Sequence, residues 1–400
     1  MIDRQGVASH SVRTCQHSSP DCQTRFFQVA FVRLQNVLTV VASVAFCGGC
    51  IAVNVEDTER LASRSLTSHT PPVLSIAFSD DGNRAVTSHY QVHSKNVRTG
   101  GLFYPDGLMR IWERELDSSF RDDRLLASRT FPALPAYPVR FPPDSTSLQV
   151  VLRRNESQLV TCDSDTLHWL VEPLPLAVSV VSPDGRYFAG QDSDDESSAN
   201  DVVVLTDRKS KSQTVLRSDG RLHHAFEFSR NGELLLTRSD LFSDGPTKLS
   251  IWKTSSGKRL CQIEDHSVSW GFPNPLFSTD SRMIAFGTHS ASQDMSMVRI
   301  HLASDGSFVR DLLIEDGDLW GIAFSPDGKH LAVSGERSGV GESGFARVFR
   351  IDNGQTIASI NVSDTWGVTA VAFTPDGESL AAGTAKGEVL IYSLGQNTAK

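Results

Sequence analysis

The 400-residue chain carries no basic patch: its one dense run is Arg208-Lys209-Ser210-Lys211, against a formal net charge of −9. Phosphate backbones are gripped through clustered Lys and Arg, so the composition argues against nucleic acid as a partner. The 208–211 run reads as a solvated turn. Cysteine is scarce in the body of the chain. Of the 6 cysteines, Cys15, Cys22, Cys47 and Cys50 lie near the start, which leaves Cys162 and Cys261 alone on separate apolar runs. Disulfides therefore do not staple the main body, and Cys47-Gly48-Gly49-Cys50 lacks the second ligand pair of a zinc site. Apolar spacing at 3.6 residues is missing after residue 55, which excludes paired-helix repeats. The same region has no nucleophile elbow, phosphate loop, dinucleotide fingerprint or metal-ligand spacing, so no cofactor and no metal is expected. Asp192-Ser193-Asp194-Asp195-Glu196 is rich in hard oxygen but lacks the glycine and distant glutamate of a calcium loop. It reads as a solvated acidic loop.

Residues 1–55 differ in kind. Arg4, Arg13, Arg25 and Arg33 precede an uncharged stretch, residues 37–53. A basic region followed by an apolar one is the pattern of a signal peptide, with Ser43-Val44-Ala45 as a small-residue cleavage site. A single-pass anchor ranks second, because the stretch lies at the lower limit for spanning a bilayer. Lipidation at Cys50, after Gly48-Gly49, ranks third. The expectation is an extracytoplasmic protein, periplasmic or membrane-anchored, with a cytoplasmic location as the alternative.

Past the leader one phrase recurs. It reads FSDDG from Phe78, FPPDS from Phe141, VSPDG from Val181, FSRNG from Phe228, FSTDS from Phe277, FSPDG from Phe324 and FTPDG from Phe373. Each has the chemistry of a tight β-turn. Pro183, Pro326 and Pro375 preset φ, Asp184, Asp327 and Asp376 bond back to the backbone, and Gly185, Gly328 and Gly377 accept positive φ. Short apolar runs precede and follow each phrase. A third run comes after a loop (Met109–Glu113, Leu249–Thr254 and Val389–Ser393 are examples), and a fourth after another turn, as at Arg259–Ile263. Four strands per repeat, with no helix between them, predict a ring of four-stranded antiparallel blades.

The chain then resembles the WD-repeat β-propellers on specific residues. Ser68-His69 stands where that template has Gly-His, and Ile111-Trp112-Glu113 and Ile251-Trp252-Lys253 stand where it ends its third strand in Trp-Asp. The resemblance covers residues 56–394, with 395–400 as a tail. It implies an all-β, seven-bladed propeller. No repeat has a true Trp-Asp, so the family's buried Asp-His-Ser-Trp network is carried over only in part, through His69 and Trp112. The chain ends after its seventh third-strand, while Arg60-Leu61-Ala62-Ser63-Arg64 parallels the fourth strand at Arg124–Arg129. Residues 59–67 are therefore expected to complete the last blade and cover its edge.

The resemblance implies a non-catalytic scaffold, a monomer that binds a protein or peptide. The long loops His89–Gly107, Gln191–Asp201, Ser239–Lys248, Ser290–Met297 and Gly335–Gly344 mark the binding face, with Tyr104, Trp270, Trp320 and Trp366 as aromatic candidates. More often such indoles wedge between neighbouring blades. His223, His224, Glu227 and Arg140 fall on innermost strands and are candidates for the axial channel. They keep open the alternative of a lactonase-like hydrolase with its site on the axis, although buried charges are ordinarily paired with neighbours.

Overall fold

The computed structural model describes most of residues 72–394, chiefly without the connecting segments 92–105, 114–124, 136–140, 142–146, 176–179, 192–201, 219–223, 240–245, 266–272, 291–294, 338–342 and 364–366. In the leader it describes strands Phe27–Val29, Ala42–Cys47 and Cys50–Asn54, which pair antiparallel in that order. No helix occurs among the described residues, and none is long and apolar enough to cross a membrane.

Valine, isoleucine, phenylalanine and small residues alternate along short runs bounded by turns, and each run forms a strand. Six four-stranded antiparallel sheets follow one another, each built from consecutive strands. The first comprises Val73–Phe78, Arg84–Gln91, Asp106–Glu113 and Leu125–Phe131. The second comprises Leu134–Pro135, Ser147–Arg153, Ser157–Asp163 and Trp169–Pro175. The third comprises Val180–Val181, Tyr187–Gln191, Val203–Asp207 and Ser212–Leu216. The fourth comprises His224–Phe228, Leu234–Ser239, Thr247–Lys253 and Lys258–Asp265. The fifth comprises Leu276–Phe277, Met283–Ser290, Met295–Leu302 and Phe308–Ile314. The sixth comprises Gly317–Phe324, His330–Arg337, Gly344–Arg350 and Thr356–Val362. A seventh sheet has three described strands, Val368–Phe373, Ser379–Thr384 and Val389–Ser393. The expected fourth strand, 59–67, lies outside the described residues.

The core lies between sheets, face against face. Val86, Ile111 and Phe131 of the first sheet meet Leu148, Val150 and Cys162 of the second. Ala285, Val298 and Leu312 of the fifth meet Leu331, Val333 and Phe345 of the sixth, and Val348 and Val362 of the sixth meet Val371 and Leu380 of the seventh. The last sheet also touches the first. Val73 packs with Ala370, Ala381 and Val389, and Thr369 Oγ1 donates to Val73 O at 2.5 Å. Each large apolar side chain buried this way contributes about 1.5–3 kcal/mol.

A second joint repeats along the outer strands. The turn between the third and fourth strands of one sheet packs on the fourth strand of the sheet before it. Gly257 approaches Thr214 and Leu216, Gly306 approaches Cys261 and Ile263, and Gly354 approaches Arg310 and Leu312. In the sixth sheet's turn the contact is polar as well: Arg310 donates to Ile351 O at 3.0 Å and to Asp352 O at 2.8 Å. Gly257 has φ of 63° with the Thr214 methyl in the space of a Cβ, so only glycine fits there.

Candidate functional site: repeated turns, cross-strand slot and inner cavity

Six of the recurring phrases fold into the same turn, and the residue that organises it is the hydroxyl after the apolar anchor. Ser182 Oγ donates to Asp184 Oδ1 at 2.6 Å and accepts from Tyr187 N at 2.8 Å, while Gly185 N closes the turn on Ser182 O at 2.8 Å. Ser79, Ser229, Ser278 and Ser325 repeat this with Asp81, Asn231, Asp280 and Asp327, and Thr374 does so with Asp376. Hydrogen bonding to Ser79 holds the Asp81 carboxyl below its usual range, helped by the backbone N–H of Asn83. The proline, aspartate and glycine of the phrase were legible in sequence. The hydroxyl was not recognised, although its constant place before the turn, as serine in five repeats and threonine in a sixth, was visible. In the second repeat Pro142 stands at that place, and proline offers no hydroxyl.

The Trp-Asp-like positions prove to be one cross-strand slot that each sheet fills in its own way. Trp112 faces Ala85 in register and donates from Nε1 to Thr87 Oγ1 at 3.1 Å, and Thr87 Oγ1 in turn contacts His89 Nε2 at 2.9 Å. Trp252 faces Leu235 and donates to Thr237 Oγ1 at 2.8 Å. The partial network expected through Trp112 therefore runs to Thr87 and His89; His69 lies outside the described residues. In the second, sixth and seventh sheets the registers put Cys162 with Leu148, Phe349 with Leu331 and Tyr392 with Leu380 in this slot, all buried or partly buried in the inter-sheet clusters. The fifth sheet stacks His301 on Phe286, with ring centroids 5.8 Å apart.

The inner strands and the turns after them line a channel-like cavity of about 540 Å³ to which all seven repeats contribute, through Ile76, Phe141, Pro183, Glu227, Phe277, Trp320 and Thr369 among others. Glu227 is buried, and its Oε2 accepts from Phe277 N at 2.6 Å, so this carboxylate fastens the fourth sheet to the fifth. His224 lies on the same strand, opposite Arg238. Burial lowers the Arg238 pKa to about 10. His223 and Arg140 lie outside the described residues.

Of the aromatic candidates, Trp320 lines the channel half-buried, and its ring occupies the space a Cβ on Gly367 would need. It lies against Gly367, at the start of the seventh sheet. Tyr104, Trp270 and Trp366, and most of the long loops, lie outside the described residues. A further inter-sheet tie was not foreseen: Arg299 donates to Asp311 Oδ1 at 2.8 Å and to buried Asp265 at 2.5 Å. Its hydrogen bond to Asp311 and the two negative charges raise the guanidinium pKa. Burial pushes the Cys162 and Cys261 thiols up to about 11, which keeps them protonated and unreactive near neutral pH. Among the described residues no group of three metal-ligating side chains comes together.

The model of the WD domain, G-beta repeat, matches residues 61–113, 306–349 and 354–393. Three regions of the chain match WD repeats. A curated relative, the WD repeat-containing protein SL1-17 of Schistosoma mansoni, is 29% identical over 144 residues, or 36% of this chain. That match spans only 43% of the relative's length. Among solved structures, a chain of Kuenenia stuttgartiensis hydrazine synthase superposes with a TM-score of 0.57 at 16% identity, covering 83% of this chain and 97% of that one. Identity that low carries the fold alone. The WD-repeat matches have a definite phase. Residues 306–349 comprise the outer strand of the fifth sheet and three strands of the sixth; residues 354–393 comprise the outer strand of the sixth and the three of the seventh.

Proposed function

We propose that this chain is a non-catalytic interaction scaffold, a seven-bladed WD-repeat propeller that docks a protein or peptide on the face of its long loops. The observation that carries the reading is the WD-repeat match itself, since proteins built of these repeats generally mediate protein interactions. The repeated residues of the turns, slots and inter-sheet joints are taken up by architecture, which leaves the rims and loops to vary with a partner.

The phase of the repeats supports ring completion by the N-terminal strand. If 306–349 and 354–393 each begin with the outer strand of the preceding sheet, then 61–113 begins with the outer strand of the seventh. Residues 61–64 repeat the Leu-Ala-Ser-Arg of 126–129, whose Arg129 donates to Leu167 O of the next sheet at 2.7 Å. Deleting residues 56–67 is expected to expose the edge of Val389–Ser393 and lower the melting temperature by several degrees; an unchanged melt refutes closure.

The docking face is tested with partners captured from the native compartment. Trp366→Ala and Tyr104→Ala are expected to weaken binding at least about tenfold, the loss of a hot-spot aromatic. Asp327→Ala, on the turn face, is expected to leave it unchanged. Loss confined to a folded Asp327→Ala protein would put the site on the wrong face. Glu227 in the channel favours the second reading, a hydrolase on the axis. Its bond to Phe277 N gives the carboxylate a structural task, and a lactone and ester screen on the purified protein separates the two readings. Export or membrane tethering through residues 37–53 remains part of the proposal. Recovery of residues 1–45 intact on soluble cytosolic protein would remove it.

A further inference from the structure

Proline is the ordinary residue at the second position of the turn, as Pro143, Pro183, Pro326 and Pro375. Three turns depart from it, with Asp80 in the first, Arg230 in the fourth and Thr279 in the fifth. Each replacement reaches beyond its own turn. Thr279 Oγ1 donates to Ser325 O of the neighbouring turn at 2.9 Å. Arg230 donates from one terminal guanidinium nitrogen to Asp80 Oδ1 at 2.6 Å, which joins the fourth sheet to the first.

That span sets the pair apart. The ion pairs Arg84–Asp165, Arg186–Asp207, Arg299–Asp265 and Arg299–Asp311 stay within a sheet or link successive ones. Turns next to each other are fastened side by side, Gly232 against Pro183, Gly328 against Asp280 and Gly377 against Pro326. Asp80 and Arg230 instead both line the channel-like cavity, together with Pro183, Ser278 and Thr279 of the intervening and following turns. Their bond therefore runs over the end of the channel that the turns surround.

We propose that Asp80 and Arg230 form a strap across the turn-side mouth of this channel and control the entry of solutes there. The side chains are 56% and 47% exposed, arginine first. A pair so exposed contributes only about 0.2–1 kcal/mol and is screened by salt. Such a bond biases the mouth towards closure without locking it, and raising the ionic strength opens it. The inference is independent of the scaffold reading, because it concerns the channel and not the partner.

The test places a thiol in the channel of the full chain. Ala372 is half-buried and lines the channel from the seventh sheet, one residue before the end of its inner strand. In Ala372→Cys protein, labelling of residue 372 by fluorescein maleimide is followed by peptide mass, which separates it from Cys162 and Cys261. At low salt, Asp80→Arg is expected to raise the rate at least about fivefold, since attraction of up to about 1 kcal/mol becomes repulsion. The milder Arg230→Gln should give a smaller rise and guards against misfolding in the reversal. Combining Asp80→Arg with Arg230→Asp should return the rate to within about twofold of the parent, and about 1 M salt should speed labelling of the parent and of this charge-swapped protein but not of either single variant. Equal rates in all folded variants, or a charge swap that fails to restore slow labelling, would overturn the strap.

Discussion

The fourth and fifth sheets are built on one plan and solve it with different chemistry. In the fourth, Trp252 fills the cross-strand slot and its indole N–H is satisfied by Thr237. In the fifth, His301 fills it, stacked on Phe286 and capped edge-on by Phe308 at 5.8 Å, while its Nδ1 bonds Gly306 O at 2.8 Å. The fourth turn closes on Gly232 at φ 71° and the fifth on Ser281 at φ 63°. The backbone pairing is nonetheless the same, Leu235 against Trp252 and Ile284 against His301. The slot demands volume and dryness, therefore, and a particular hydrogen bond only where an indole brings its own N–H.

Removing volume should cost most. Phe286→Ala empties the stack beneath His301 in a region where Phe286 is 1% exposed, and the expected loss is about 3–5 kcal/mol in urea unfolding. A loss below about 1 kcal/mol would mean that the fifth sheet does not rely on this packing. Removing the hydrogen bond should come next. Thr237→Val keeps the shape but leaves the buried indole N–H of Trp252 without its acceptor, at about 1–3 kcal/mol. If Thr237→Val is neutral while Phe286→Ala is severe, the fourth slot is held by volume as well, and the contrast between the sheets disappears. The turn should matter least. Ser281→Gly relieves a left-handed serine and is expected to stabilise by about 0.5–1 kcal/mol, while Gly232→Ser should cost a similar amount. Opposite signs sharpen the comparison; equal signs would show that the two turns differ in more than φ.

The turns and the sheet plan were open to reading because they are local. A tight turn depends on a few consecutive residues, and Pro183-Asp184-Gly185 carries its geometry in its own side chains and φ preferences. Some strand limits followed, as at Val389–Ser393, which is the strand as observed, while others extend further, as Met109–Glu113 does to Asp106 and Arg259–Ile263 does to Asp265. The hydroxyl that organises six of the turns went unrecognised because its two bonds, in Ser182 to Asp184 and to Tyr187 N, appear only once the chain has doubled back. The partners of the slot were hidden for a like reason. Trp112 and Thr87 are 25 residues apart, and nothing local distinguishes Thr87 from any other strand threonine.

The sequence by itself determined the repeat, the antiparallel four-strand plan, the turn chemistry and the position of an indole in two repeats. These rest on periodicity and on conformational preferences that act within a few residues. Tertiary structure alone decided that Glu227 would fasten two sheets, that Arg299 would gather Asp265 and Asp311, that Trp320 would lie on Gly367, and that Asp80 would meet Arg230. Asp80 and Arg230 are separated by 150 positions. Their meeting depends on the angle and spacing of every sheet between them, and those are set by face-to-face packing of the whole array rather than by either residue's own neighbours.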